Sequence, residues 1–396
     1  MDLSQKLRQV MQKDMENNIV AGVSLLVEKD GKEICYCQVG MADREKGRAM
    51  SRDTIFRLYS QTKPVTAAAA MILMERGMLD FCQPVSDFFP AYRNQKIWRN
   101  GQEAERTAEE REMLVLDLLR MTSGLVYPDE MTDTGRRTGE VFRQIDSRMD
   151  TEQEMTTGEV ACALAECPLA YAPGQGWRYG TSADVLGAVI EAVSGMKFGD
   201  FLKKEIFEPL GMKDTAFWVP EEKREHLAAS YESVVGEDGR RYLRRYTGSH
   251  LSVRNDMAKE PAFASGGAGL SSTLDDYMKF AEMLLQGGSL GGVRILQPQT
   301  VDYFTQRRLL DHQQKGFGSW LGLDGYSYGN LMRICQNPAQ TGLLARAGEY
   351  GWDGWLGMYF ANFPKENMTI LMGMQKKDGG TFALTRKLRN VILSSL

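Results

Sequence analysis

Ser60 and Lys63 are the side chains whose types and spacing point most directly to chemistry. They sit in Phe56-Arg57-Leu58-Tyr59-Ser60-Gln61-Thr62-Lys63-Pro64, just before the alanine run Ala67 to Ala70. A serine one turn before a lysine shares its helix face, so hydroxyl and amine would lie side by side. Pro64 fits the first turn of such a helix, where its missing N–H would be unpaired in any case. Ser60 is thus predicted at a helix N-terminus, where backbone N–H groups and the helix dipole favour developing negative charge. This pattern suits a nucleophilic serine activated by an amine rather than by histidine.

The spacing alone is weak, because two such common residues meet this way about once in a chain of this length. A second copy, Ser194-Gly195-Met196-Lys197, follows Val189 to Val193. It reads as a helix end capped by Gly195. Gly325-Tyr326-Ser327-Tyr328-Gly329 matches the nucleophile elbow Gly-x-Ser-x-Gly, but that arrangement needs a histidine later in the chain. The last histidine is His312, so this segment is expected to be a strand or turn. A serine–lysine site also needs a proton shuttle and donors for an oxyanion. Candidates lie at Trp177-Arg178-Tyr179-Gly180-Thr181 and at Gly351-Trp352-Asp353-Gly354-Trp355.

The elements that must hold these residues are legible at the chain ends. Residues 4–18 alternate charged and apolar residues like an amphipathic helix. Val23 to Val39 reads as two strands joined at Asp30-Gly31. Trp355 to Asn362 and Met368 to Gln375 read as two more strands, followed by a helix from about Phe382 to Leu396. Both ends are therefore expected to build one antiparallel sheet flanked by helices, an α+β fold. Between Thr66 and Lys213 the periodicity is mostly helical, and Ser272 to Gln286 is a further helix. Glu103 to Glu112 reads as a surface helix or loop. Arg240, Arg241, Arg244 and Arg245 read as a solvated loop or hairpin rather than a site for acidic ligands. The expected organisation pairs 1–80 with 265–396 as an α/β region around a mainly helical 81–264, with the active site in the cleft between them.

Bulk properties narrow the function. The chain has 396 residues and a net charge of −4, which gives no general attraction to nucleic acid or anionic lipid. No stretch approaches the roughly 18 apolar residues of a membrane span. The N-terminus lacks the pattern of a signal peptide, so the expectation is a cytoplasmic protein or an exported one already trimmed. Six scattered cysteines and three histidines form no metal-binding spacing. Neither a phosphate loop nor a dinucleotide fingerprint is present, and no metal or cofactor is expected.

With these segments in hand, the chain resembles the serine β-lactamase and penicillin-binding-protein superfamily. Within it, the chain is most similar to the class C β-lactamase-like esterases, the family VIII carboxylesterases. The likeness runs from about residue 20 to 376. It includes Asp53 to Arg57, Gly77 to Asp80, Leu118 to Leu125, Pro209 to Thr215 and Ser265 to Thr273. It implies that Ser60 is the acyl-forming nucleophile, that Lys63 keeps it poised and that Tyr179 is the general base for acylation. A nearby ammonium would lower the tyrosine pKa, while desolvation would lower that of the lysine; which of the two takes the proton stays open. The resemblance also implies an oxyanion hole from the backbone N–H groups of Ser60 and Trp355.

Two departures bear on the substrate. Trp352-Asp353-Gly354 stands where β-lactamases and peptidases of this superfamily carry Lys-Thr-Gly, and Thr181 stands where the second motif carries asparagine. The cation that would meet a substrate carboxylate is missing, with Arg178 and Arg346 as possible replacements. The expectation is a carboxylesterase on small neutral esters, with Trp177, Thr181 and Trp352 to Gly354 at the substrate and Trp355 beside an apolar pocket. The alternatives are a β-lactamase, a D-amino-acid peptidase or a transacylase acting on a small ester or amide, and, in another class, a catalytically silent protein that binds peptidoglycan or a partner.

Overall fold

The computed structural model describes residues 2–320, 322–380 and 382–396. The elements that frame the site are α1 (Leu3–Glu16), β1 (Gly22–Lys29), β2 (Lys32–Asp43), β3 (Arg48–Ala49), α2 (Lys63–Glu75), α3 (Ser182–Ser194), α4 (Leu274–Leu285), β4 (Tyr326–Tyr328), β5 (Arg333–Cys335), β6 (Tyr350–Asp353), β7 (Tyr359–Phe363), β8 (Met368–Gly373) and α5 (Ala383–Leu393). The strands form one antiparallel sheet in the order β4-β5-β6-β7-β8-β1-β2-β3. The two chain ends meet at its centre, where Ser24 pairs with Gly373 and Lys29 with Met368. The fold is α+β.

Strand alternation sends side chains to two cores. Val23, Leu25 and Val27 of β1 join Tyr359, Ala361, Ile370 and Met372 against α1 and α5. Leu26, Phe360, Leu371 and Trp352 face the other way, into the larger core with α2, α3 and α4. The β1–β2 turn has Asp30 and Gly31 both in the left-handed region, φ 54° and 69°, as a two-residue hairpin requires.

α2 is buried from Lys63 to Leu73. Its four alanines let α3 pack closely against it, and the Thr66 hydroxyl donates to the Gly266 carbonyl at 2.7 Å. The helices Val115–Arg120 and Thr157–Ala165 complete the surroundings of α3, and Asp133–Arg148 packs on Thr157–Ala165. α3 ends at Ser194 with Gly195 in the left-handed cap, φ 66°, as read for the second Ser-x-x-Lys copy. Among the described residues no helix is long and apolar enough to cross a membrane.

Two stretches differ in detail from expectation, and the arginine-rich one takes the hairpin form read for it. The strand expected from Trp355 begins only at Tyr359. Residues 354–358 form a turn closed by Gly354 N–H to Met358 O at 2.7 Å and Gly357 N–H to Gly354 O at 2.8 Å. The strand before this turn, β6, instead carries Trp352 and Asp353. The Glu103 segment opens in a short hairpin, Ile97–Arg99 with Gln102–Ala104, and continues as loop. The arginine-rich stretch is a hairpin, Ser230–Val235 with Arg241–Tyr246. Its Arg244 and Arg245 pair with Glu232 at 2.6 Å and Asp43 at 3.1 Å.

Candidate active site

Ser60 enters the site through a backbone reversal. Tyr59 has φ 46°, a left-handed conformation that non-glycine residues rarely adopt. A short 3₁₀ turn, Tyr59–Thr62, then runs into α2 with Pro64 in its first turn. Lys63 lies on the same face, fully buried, and donates to the Ser60 hydroxyl at 3.1 Å, the Tyr127 hydroxyl at 2.9 Å and the Gly267 carbonyl at 2.7 Å. Burial drives the Lys63 pKa down to about 7, against a smaller upward pull from Asp184. Its neutral form is therefore well populated near neutral pH, and a neutral amine has a lone pair with which to accept the serine proton.

Tyr179 arrives from the loop before α3. Gly180 makes this possible, because a Cβ there would sit 2.2 Å from the Leu125 carbonyl oxygen. The close approach also brings Tyr127 beside Tyr179, with ring centroids 5.5 Å apart. The Trp352 indole N–H donates to the Tyr179 hydroxyl at 2.9 Å, and Lys63 Nζ sits 4.6 Å from the Tyr179 ring centroid. Burial pushes the Tyr179 pKa up, while hydrogen bonding to Ser60 and Trp352 draws it partway back. This reverses the sequence-based argument that a neighbouring ammonium would lower the phenol: desolvation dominates at both groups, and it favours neutral lysine and neutral tyrosine.

Tyr127 and Asp184 were not assigned roles from sequence. Tyr127 lies two residues beyond the Leu118–Leu125 motif, and it is the fold that brings its hydroxyl to Lys63. Asp184, buried in the first turn of α3, accepts from Ser265 Oγ at 2.6 Å and from Gly267 N–H at 3.0 Å. It thereby holds the backbone whose carbonyl receives Lys63. Burial raises the Asp184 pKa, opposed first by the charge of Lys63.

The third motif closes the site. A Cβ at Gly354 would lie 2.2 Å from the Leu58 carbonyl oxygen, so glycine lets the end of β6 press against the segment that leads into Ser60. Trp355 follows in the turn. Asp353 is held by Arg333 at 2.7 Å, a largely buried pair. These residues open onto a cavity of about 680 Å³ whose lining includes Ser60, Tyr127, Tyr179, Trp352 and Asp353. Trp320, Trp355 and Phe382 contribute further aromatic wall, and His250 and Arg386 also reach it.

Two expected substrate residues lie elsewhere. Trp177 is only 5 % exposed and packs behind Tyr179, edge-on to Phe317 and Tyr328. It supports the tyrosine ring and does not line the cavity. Thr181 is fully buried at the start of α3 and is likewise not in the wall. The proposed replacement cations are engaged away from it: Arg178 with Asp129 at 3.0 Å and Arg346 with Glu366 at 2.8 Å. The cation in the wall is Arg386, from the first turns of α5, a helix that sequence periodicity marked only as a cover for the sheet. Ser327 lies in β4, buried, with its hydroxyl donating to Gln314 Oε1 at 2.6 Å, which is no nucleophile elbow. Among the described residues no three His, Cys, Asp or Glu side chains gather as a metal site.

The chain is similar to known proteins over most of its length. A model of the Beta-lactamase family matches residues 7–393. Esterase EstB of Burkholderia gladioli is 30% identical over 403 residues, covering 98% of this chain and 95% of EstB. Protein Rv1367c of Mycobacterium tuberculosis is 30% identical over 369 residues, covering 90% of this chain and 86% of its own. Among solved structures, EstCE1, a hydrolase with promiscuous acyltransferase activity, superposes with a TM-score of 0.81 at 23% identity, covering 98% of each chain. A family VIII carboxylesterase superposes with a TM-score of 0.68 at 16% identity, covering 100% of this chain and 98% of that one; at these identities the two structures speak to the fold alone.

Proposed function

We propose that this chain, which belongs to the beta-lactamase family of serine hydrolases, is a carboxylesterase that works through an acyl-enzyme on Ser60. The observation that carries this reading is the 3.1 Å contact between Ser60 and a buried Lys63 at the wall of an aromatic cavity. Ser60 Oγ attacks the ester carbonyl while its proton passes to neutral Lys63. The tetrahedral oxyanion is held by the backbone N–H groups of Ser60 and Trp355. As the carbon–oxygen bond to the alcohol breaks, the Tyr179 hydroxyl protonates the leaving oxygen and is reprotonated from Lys63. Water then attacks the acyl-enzyme, its proton is taken by neutral Lys63 through the same relay, and Ser60 is released with its proton restored.

Two features favour neutral esters over β-lactams and D-amino-acid peptides. Trp352 occupies the place of the motif lysine and donates to Tyr179. The next residue, Asp353, is paired with Arg333 and brings no cation to the place of the motif lysine. Nitrocefin turnover is accordingly expected to be far slower than that of p-nitrophenyl butyrate. A second reading, acyl transfer to an alcohol, is favoured by the aromatic wall, since an apolar cavity concentrates alcohols relative to water.

Intact mass after fluorophosphonate treatment, together with p-nitrophenyl acetate and butyrate turnover, tests the reading in wild type and Ser60→Ala. One adduct on Ser60, with turnover lost in the variant, is expected. A folded wild-type protein that shows neither labelling nor turnover would overturn the esterase and leave a silent binding protein.

A further inference from the structure

The polar side chains around the cavity are nearly all engaged. Ser60 and Tyr127 receive Lys63, Tyr179 receives Trp352, Asp353 receives Arg333, and Asp378 accepts from the Trp355 indole N–H at 2.8 Å. His250 stands apart. Among the described residues its ring nitrogens make no hydrogen bond and no ion pair; its contacts are ring contacts. It stacks on Trp355 at 3.9 Å and 20°, and its ring lies 5.9 Å from that of Tyr59, the residue before the nucleophile. An imidazole in the cavity wall with no protein partner among the described residues is available to hydrogen-bond a bound substrate.

The chain holds the histidine there at a conformational cost. Leu251 and Ser252 are consecutive left-handed residues, φ 53° and 54°, a conformation unfavourable for non-glycine residues. Val253 N–H closes the turn on the His250 carbonyl at 3.1 Å. Val253 and Met257 are then buried with Tyr59, Ile55 and Leu356 in a small core, against which Leu251 and Trp355 pack. The loop is therefore anchored to the segment that carries Ser60. Strain retained by surrounding packing is characteristic of functional positions.

We propose that His250 reads the substrate: its imidazole hydrogen-bonds a second oxygen function, a hydroxyl or a carbonyl, carried by the ester beyond the bond that is cleaved. The inference rests on the esterase reading of the same site. Burial brings the His250 pKa down to about 4, with Asp378 pulling it up and Lys377 pushing it down. Across the neutral range one ring nitrogen donates and the other accepts. Such a group matches a hydroxyl in either sense and a carbonyl through its N–H. The flat Trp355 face beside it carries the apolar part of the same substituent.

The test compares kcat/KM within two matched pairs. On the acyl side these are p-nitrophenyl 3-hydroxybutyrate and p-nitrophenyl butyrate. On the alcohol side they are glyceryl monobutyrate and propyl butyrate, followed by pH-stat. Wild type is expected to favour the hydroxylated member of one pair by roughly three- to tenfold, the range of one net hydrogen bond. The pair that responds identifies which half of the ester His250 meets. His250→Phe, which keeps a ring against Trp355, is expected to bring that ratio close to one, and His250→Gln to restore part of it. Ratios near one in wild type for both pairs, or a preference unchanged in His250→Phe, would overturn the assignment. Should His250→Phe fail to fold, the wild-type ratios and His250→Gln still decide. Flat ratios in an enzyme that labels at Ser60 and turns over esters remove only the role of His250, whereas absence of labelling and turnover removes the esterase reading itself.

Discussion

At the residue scale, the burial that would equip Lys63 as a base also works against the fold. An ordinary lysine binds its proton up to about pH 10.4, whereas burial brings the Lys63 pKa in the folded protein down to about 7. Between these values the unfolded chain holds more protons than the native one, so stability rises with pH across that window and levels off below the folded pKa. Lys63→Met removes the titration. It is expected to abolish ester turnover while raising the urea midpoint at pH 7, and to flatten the stability–pH curve between pH 7 and 10. A variant no more stable than wild type at pH 7 would count against a desolvated Lys63. The same pKa predicts that kcat/KM for a neutral ester rises as pH increases through about 7, because the amine must be neutral to take the serine proton. Tyr127→Phe removes one of the three acceptors of Lys63. We expect a loss of roughly tenfold in kcat, the upper scale of one net hydrogen bond, together with a displaced pH midpoint. A loss in kcat with an unmoved midpoint would assign Tyr127 to packing alone.

At the element scale, the site depends on glycines that let segments distant in sequence touch. Gly354→Ala would place a methyl group against the Leu58 carbonyl and force β6 away from the turn that carries Ser60. We expect kcat/KM to fall by on the order of a hundredfold, since misplacement by about 1 Å can cost that much, with a smaller change in melting temperature; equal activity would show that the approach of β6 is not needed. This dependence also explains what sequence could show. The Ser60–Lys63 pair, the Asp30-Gly31 hairpin and the Gly195 cap are local patterns, and the structure places them as read. Trp355, Leu356 and Met358 look like strand because they are apolar, yet Leu356 and Trp355 meet Tyr59 in a small core around a turn closed by Gly354 and Gly357. Tyr127, His250 and Arg386 reach the cavity through a glycine contact, two left-handed residues and the first turns of the last helix. None of those placements leaves a periodic signal. Thr181 holds the third place of the tyrosine motif and Trp177 is an aromatic two residues before Tyr179, yet the loop turns Trp177 behind the ring and buries Thr181 at a helix start.

At the scale of the whole molecule, the chain end helps to shape the pocket, so stability and substrate binding are linked through α5. Phe382, Ala383 and Arg386 line the cavity, while Arg389, one turn further along, holds the helix to the sheet. Arg389 donates to Glu349 at 2.5 Å, to the Tyr359 hydroxyl at 2.7 Å and to the Leu344 carbonyl at 2.9 Å. Glu349 also accepts from the Tyr326 hydroxyl at 2.5 Å and the Arg346 N–H at 2.9 Å, and both members of the ion pair are almost wholly buried. Removing one partner leaves the other charge buried and alone, which costs about 3–5 kcal/mol. Arg389→Ala is therefore expected to lower the urea midpoint strongly. Because α5 carries one side of the cavity, it should also raise KM more than it lowers kcat, since Ser60, Lys63 and Tyr179 stand on other elements. Replacing both partners, Arg389→Met with Glu349→Leu, removes the isolated charge and should recover part of the stability, though the Tyr326 and Tyr359 hydroxyls lose their partners. Urea unfolding and ester kinetics on the three proteins test the link: a destabilised Arg389→Ala whose KM stays at the wild-type value would mean that the pocket holds its shape without the anchoring of α5.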